Sequence, residues 1–192
     1  MASTLKVNTI AHSGGTSAMT IDSAGTIDFP VNNNITIFGL TTQTSITSST
    51  ASTLTGWTKF NSQSVHGFKP YGSTINESSG FFTPVKLGLY KLELDLHLYR
   101  NSSPSARWFQ ADLEFTPNGG SAIAGDIYDN VPYSNSDTTY HLLHRHRYYN
   151  FNHANDKVRV RVAASNNVTI KASGASDFDS QLVFRWVAPP VT

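Results

Sequence analysis

Four of the seven histidines fall close together: His141, His144 and His146 lie within residues 140–147, and His153 follows. On an extended strand, residues two apart point to the same side. His144 and His146 would therefore share a face, and three copies of the pair around an axis would bring six imidazoles together. Nitrogen donors of that kind suit a first-row transition metal. Against this, Arg145 and Arg147 interleave with the pair, and no carboxylate lies nearby in sequence. The favoured reading is free imidazoles, with no metal and no cofactor.

Charged side chains also recur at strand spacing. Residues 90–98 alternate apolar and polar, which puts Glu93 and Asp95 on one face; residues 157–162 do the same for Arg159 and Arg161. Aromatic residues supply a third group. Tyr128 and Tyr133 fall in the polar stretch 125–137, where exposed rings could stack on sugars, whereas most of the others are expected to fill packing space. Nucleophilic chemistry has little support. The chain has no cysteine, which excludes thiol nucleophiles and Cys-based metal sites. Its thirteen acidic residues form no motif-like pair, and neither Gly-x-Ser-x-Gly, His-Glu-x-x-His nor a phosphate-binding glycine loop is present. No enzymatic activity is expected.

The elements that position these residues read as strands throughout. Residues 90–98, 109–115, 157–162, 168–170 and 181–187 carry strand patterns, separated by segments rich in Gly, Pro, Asn, Asp and Ser. No apolar stripe at a 3.6-residue period survives for three turns. The chain of 192 residues suits one sizeable β domain with an N-terminal attachment region. Only 14% of residues are charged and the net charge is +1, so neither nucleic acid nor a polyanionic partner is indicated. No run approaches the roughly 20 apolar residues of a membrane helix, and no secretory signal is expected at the N-terminus.

Three regions are expected. Residues 1–40 form a β arm whose strands offer two or three apolar side chains each: Leu5, Val7, Ile10, Met19, Ile21, Ile27 and Phe29. An isolated hairpin of this kind is marginal in water, so the arm needs partner chains or a docking surface. Residues 41–56 are nearly all Ser and Thr and read as a linker. Residues 57–192 form the β domain.

Two resemblances bear on this. The runs Ser3–Ile10 and Gly14–Ile27 resemble a segment near the N-termini of bacteriophage fibre and surface proteins. In those proteins it is an extended β piece that associates with two further copies of itself. The second concerns Gly80-Phe81-Phe82-Thr83-Pro84, Gly88-Leu89-Tyr90, Asn155-Asp156-Lys157-Val158 and the run Ser176–Phe184. Their order resembles the tumour-necrosis-factor and complement-globular-head jelly roll, with Asn155 in place of the usual Gly. That resemblance implies an all-β, ten-stranded sandwich that trimerises about an apolar seam, for which Tyr148, Tyr149 and Phe151 are the candidates. It also implies that the strands holding Glu93 and Asp95 and holding Arg159 and Arg161 are neighbours in one sheet. Cross-strand pairs between them would be worth roughly 0.2–1 kcal/mol each.

The expected protein is a homotrimeric, non-enzymatic component of a tailed-phage particle surface. One role is a capsid decoration or cement protein contacting the major capsid protein. The alternative is a short tail fibre or fibre tip recognising host polysaccharide, and a lectin acting away from any virion is a third class. No nucleic-acid binding and no membrane insertion are expected.

Overall fold

The computed structural model describes residues 9–11, 17–21, 27–28, 35–47, 49–60, 74–100, 108–123, 128–129, 140–165, 168–172 and 180–191. Among these, every regular element is a strand. The chain divides into two compact units, Met1–Asn34 and Ile35–Thr192. The first holds β1 (Thr9–Ala11), β2 (Ser17–Ile21) and β3 (Ile27–Asp28) in one antiparallel sheet of that order. Its register sets Ile10 opposite Met19 and Ile21 opposite Ile27. Leu5, Val7 and Phe29 lie outside the described residues.

The second unit contains β4 (Ile35–Leu40), β5 (Thr44–Ile46), β6 (Ser52–Thr53), β7 (Trp57–Lys59), β8 (Ile75–Ser78), β9 (Phe81–Pro84), β10 (Gly88–Arg100), β11 (Phe109–Thr116), β12 (Tyr128–Asp129), β13 (Tyr140–Phe151), β14 (Lys157–Ala164), β15 (Val168–Ile170) and β16 (Gln181–Ala188). They form two antiparallel sheets. One runs β5-β15-β10-β16-β4-β7, with β13 on the other edge of β10; the second runs β12-β11-β14-β9-β8, with β6 also paired to β14. Thirteen described strands therefore replace the ten that the resemblance implied, several of the extra ones being only two or three residues long.

Alternation decides which face is buried. Tyr90, Leu92, Leu94, Leu96 and Leu98 of β10 point inward, as do Val158, Val160 and Val162 of β14 and Leu182 and Phe184 of β16. Two aromatic clusters fill the interior. In one, Phe82 meets Phe38, Phe184 and Trp57 at ring distances of 4.9, 5.2 and 6.0 Å. In the other, Phe151 meets Tyr90 at 5.3 Å and Phe115 at 5.5 Å. Such edge and tilted pairs add to the area they bury.

The expected boundaries need correction. The first unit ends at Asn34, and residues 35–56 belong to the sandwich. Phe38, Leu40, Ile46 and Leu54 are all in the core, β5 pairs with β15, and β6 pairs with β14. Two short pieces of the Ser/Thr-rich stretch are strand because hydroxyl residues sit readily on the outer face of a pleated sheet, while Ile46 and Leu54 turn inward.

The Gly-x-Tyr sequence has a steric reason. At Gly88, with φ +150°, a Cβ would lie 2.2 Å from Trp186 Nε1 and 2.4 Å from the Ala188 carbonyl oxygen. Glycine lets the indole approach and donate to the Leu87 carbonyl at 3.1 Å. Two residues on, the buried Tyr90 hydroxyl donates to the Lys86 carbonyl at 2.7 Å and fixes the same corner.

Candidate functional site

The outward face of the seven-stranded sheet carries the chemistry. Across β10 and β13, Asp95 is opposite His144, Glu93 opposite His146, Lys91 opposite Tyr148 and His97 opposite Leu142. On the other side of β10, Asp95 is opposite Gln181 and Lys91 opposite Arg185. The contacts form two linked groups. Asp95 takes His144 Nδ1 at 2.5 Å on one oxygen and accepts from Gln181 Nε2 at 2.9 Å on the other. Glu93 accepts from Lys91 Nζ at 2.6 Å and Arg185 at 3.4 Å. Partial burial pushes the Glu93 carboxyl up, but the hydrogen bonds and charges of Lys91 and Arg185 outweigh it and hold the group below the usual carboxylate range. Around this polar centre Leu142, Tyr148 and Val187 are 60%, 56% and 47% exposed. The face thus combines charged groups of both signs with exposed apolar side chains, the mixture found where protein surfaces meet.

The expected charge face does not exist as drawn. β10 and β14 lie in different sheets, so Glu93 and Asp95 look away from Arg159 and Arg161. The arginines instead share Glu114 of β11, which accepts from Arg159 Nε at 2.5 Å and Arg161 at 2.6 Å while only about 4% exposed. Burial raises the Glu114 carboxyl, and the two guanidiniums more than reverse it, leaving it below its ordinary value. Arg159 also donates to Thr53 at 3.2 Å and thereby ties β6 to β14.

The expected seam needs a similar correction. Phe151 is fully buried in the chain's own core. Tyr149 stacks on Phe115 at 5.1 Å, and its hydroxyl donates to the Leu113 carbonyl, with burial pushing its pKa up to about 12. Phe151 has no surface left for another subunit and Tyr149 is only partly exposed; of the three, Tyr148 alone is on the outer face. β13 is paired only to β10 among the described residues. Its Arg145 and Arg147 share the inward phase with Leu143 and Tyr149, and charges placed inward on an edge strand discourage addition of a further strand.

His144 and His146 share a face with ring centroids 6.4 Å apart, and His144 is engaged by Asp95. Among the described residues no cluster of three or more His, Asp or Glu side chains is arranged to hold a metal. Tyr128 begins β12, with its backbone opposite Gln110. Tyr133 lies outside the described residues.

One feature of the loops was visible in sequence only as part of a resemblance. Asp156, 3% exposed, accepts three backbone N–H groups: from Asn118 at 2.8 Å, Asn152 at 2.7 Å and His153 at 2.8 Å. It joins the turn after β11 to the turn after β13. Asn155 reinforces the joint by donating to the Asn118 side chain at 3.3 Å.

No protein-family model matches the sequence, and no curated protein matches it. The fold does have solved counterparts. Murine APRIL superposes with a TM-score of 0.53 over 80% of this chain and 98% of that one, at 13% identity. The Eiger TNF of S. frugiperda gives 0.55 over 84% and 96%, also at 13% identity. The second unit is a tumour-necrosis-factor-like jelly roll. At these identities the likeness establishes fold and not role. The PRD1 vertex protein P5 is matched at a TM-score of 0.44 and 14% identity, too distant to bear on what this chain does.

Proposed function

We propose that the chain is a homotrimeric, non-enzymatic structural protein of a phage particle surface. In this reading the first unit attaches it and the jelly roll projects as a decoration or cement element. The observation that carries the reading is the first unit itself. Its described strands of three, five and two residues form a sheet of their own, mostly shorter than the usual strand of about 5–6 residues and at the margin of independent stability. Such a piece gains stability when three copies associate or when it seats on a larger surface. Its sequence resembles segments of phage fibre and surface proteins that do this. The jelly roll supplies the second contact, through the outward face of β13, β10 and β16 with Tyr148, Leu142 and Val187. Contacts at both places would reinforce each other through effective concentration.

The resemblance of the first unit to fibre proteins favours a second role, a short tail fibre or fibre tip that recognises host polysaccharide. Copy number separates the two. Quantitative mass spectrometry of purified particles, referenced to the major capsid protein, should find hundreds of copies for decoration. A few tens would establish the fibre role, and absence from the particle would reject both.

A further inference from the structure

We propose that Asn118, in the turn after β11, is a site of spontaneous deamidation, and that its conversion weakens the joint that Asp156 makes between this turn and the turn after β13. The inference goes beyond the structural role proposed above and does not depend on it.

Asn118-Gly119 is the one Asn-Gly pair in the chain; every other asparagine is followed by a residue that carries a side chain. An asparagine can be attacked at Cγ by the backbone nitrogen of the next residue. The new N–C bond closes a succinimide ring, and the side-chain nitrogen leaves as ammonia. Water then opens the ring at either carbonyl and gives aspartate or isoaspartate, so water is the only co-reactant. A side chain on the following residue hinders the attack, and a glycine does not. The turn around Asn118 leaves this chemistry open. It is closed by the Gly120 N–H donating to the Pro117 carbonyl at 3.0 Å, a bond that leaves the Gly119 N–H outside it. Among the described residues no acceptor takes the Gly119 N–H. Asn118, Gly119 and Gly120 are all exposed. Gly119 stands at φ +68°, and apart from its chain neighbours nothing lies within 4 Å of where a Cβ would be. No packed group there resists the rotation that brings its nitrogen toward the Asn118 side chain.

The product forms beside a carboxylate that already holds the two turns together. Asp156 is 3% exposed; its Oδ1 accepts from the Asn118 backbone N–H at 2.8 Å, and its Oδ2 accepts from Asn152 and His153. Deamidation puts a second negative charge on residue 118 itself. In the aspartate product, the new carboxylate replaces the amide that now accepts from Asn155 Nδ2 at 3.3 Å. In the isoaspartate product, the new carboxylate is attached to the same Cα as the N–H that Asp156 binds. The main chain then runs through the side chain and is lengthened by the Cβ atom, so the bond from Gly120 to Pro117 no longer closes the same turn. In both products two carboxylates share one joint, and their like charges oppose each other. The joint loses strength without any change elsewhere in the sandwich.

The test incubates the full chain at fixed concentration and mildly alkaline pH, where the attacking nitrogen gives up its proton more readily, and follows two readouts over time. Peptide mass spectrometry with electron-based fragmentation locates each gain of about 1 Da, the difference between an amide and a carboxyl group, and separates isoaspartate from aspartate. Urea unfolding gives the midpoint at each time. Asn118 is expected to convert several times faster than any other asparagine, with isoaspartate among the products, and the urea midpoint should fall in step with the conversion. Asn118→Gln, whose longer side chain closes the corresponding ring far more slowly, should stay unmodified at that position and keep its starting midpoint throughout. Asn118→Asp carries the charge without the lengthened main chain and should unfold at a lower urea concentration than fresh wild type. An Asn118 that converts no faster than the other asparagines overturns the inference. So does a converted protein with the midpoint of the fresh one, or an Asn118→Gln variant whose midpoint drifts as the wild type's does.

Discussion

Replacing Asp156 tests how much of the jelly roll is held by a single carboxylate. Asp156→Ala leaves the backbone N–H groups of Asn118, Asn152 and His153 without their acceptor. Hydrogen bonds to a charged group contribute about 1.5–3 kcal/mol each. The lower end applies, because the three donor residues are exposed and water can reach their amides once the carboxylate is gone. Three bonds at that value put the loss at about 4.5 kcal/mol, a large fraction of the roughly 5–15 kcal/mol that holds a domain folded. Asp156→Asn separates charge from shape. Its one oxygen can keep the Asn152 and His153 bonds, both made by Oδ2, while its amide faces the Asn118 donor. About half the loss, near 2 kcal/mol, is expected. Urea unfolding at fixed protein concentration reads both values from the midpoint at constant m. A loss below about 1 kcal/mol for Asp156→Ala, or equal losses for both variants, refutes the reasoning.

Three further outcomes follow from the same geometry. Gly88→Ala forces a Cβ against the Trp186 ring and the Ala188 carbonyl, one of which is backbone, so the melting temperature should fall by several degrees and the near-ultraviolet signal of Trp186 should change. Glu114→Gln should cost about 2–3 kcal/mol, less than a fully buried pair because its arginines are 28% and 26% exposed. Since the folded Glu114 carboxyl is held below its ordinary 4.5, its contribution is complete above that value and is lost as pH falls through the lower folded one; the variant should therefore lose less stability than wild type on acidification below pH 4.5, as measured by urea midpoints. At the alkaline end, Tyr90 and Tyr149 are raised from 10.0 to about 12, so the stability they contribute is complete below pH 10 and declines as pH rises toward 12; ultraviolet titration should show these two phenols ionising only as pH approaches 12, and Tyr149→Phe should flatten the decline.

Much of the sandwich was legible in the chain. β10, β11, β14 and β16 were readable because their sequences alternate or run apolar at strand length, as in Leu92, Leu94 and Leu96 against Glu93 and Asp95, although in β11 the polar partners Asp112 and Glu114 are buried too. Alternation does not say which sheet a strand joins. β10 and β14 carry the same pattern and lie in opposite sheets, which is why Arg159 and Arg161 meet Glu114 rather than Glu93. β13 was harder to phase. Its inward side holds Arg145 and Arg147 and its outward side holds Leu142, so polarity does not separate the faces, and Tyr148 and Tyr149 could not be told apart. The Asp95–His144 contact spans 49 positions and depends on register alone. Between β4 and β7 the core residues Ile46 and Leu54 stand among hydroxyl residues, whose composition resembles that of a linker.

Sedimentation equilibrium of the dilute full-length chain near neutral pH addresses the central claim most directly. A mass of three times the 21.0 kDa chain, held on dilution, is the predicted result. A species of 21.0 kDa whose β1, β2 and β3 amides are nonetheless protected from exchange would contradict the account, because the small sheet would then be ordered without any partner.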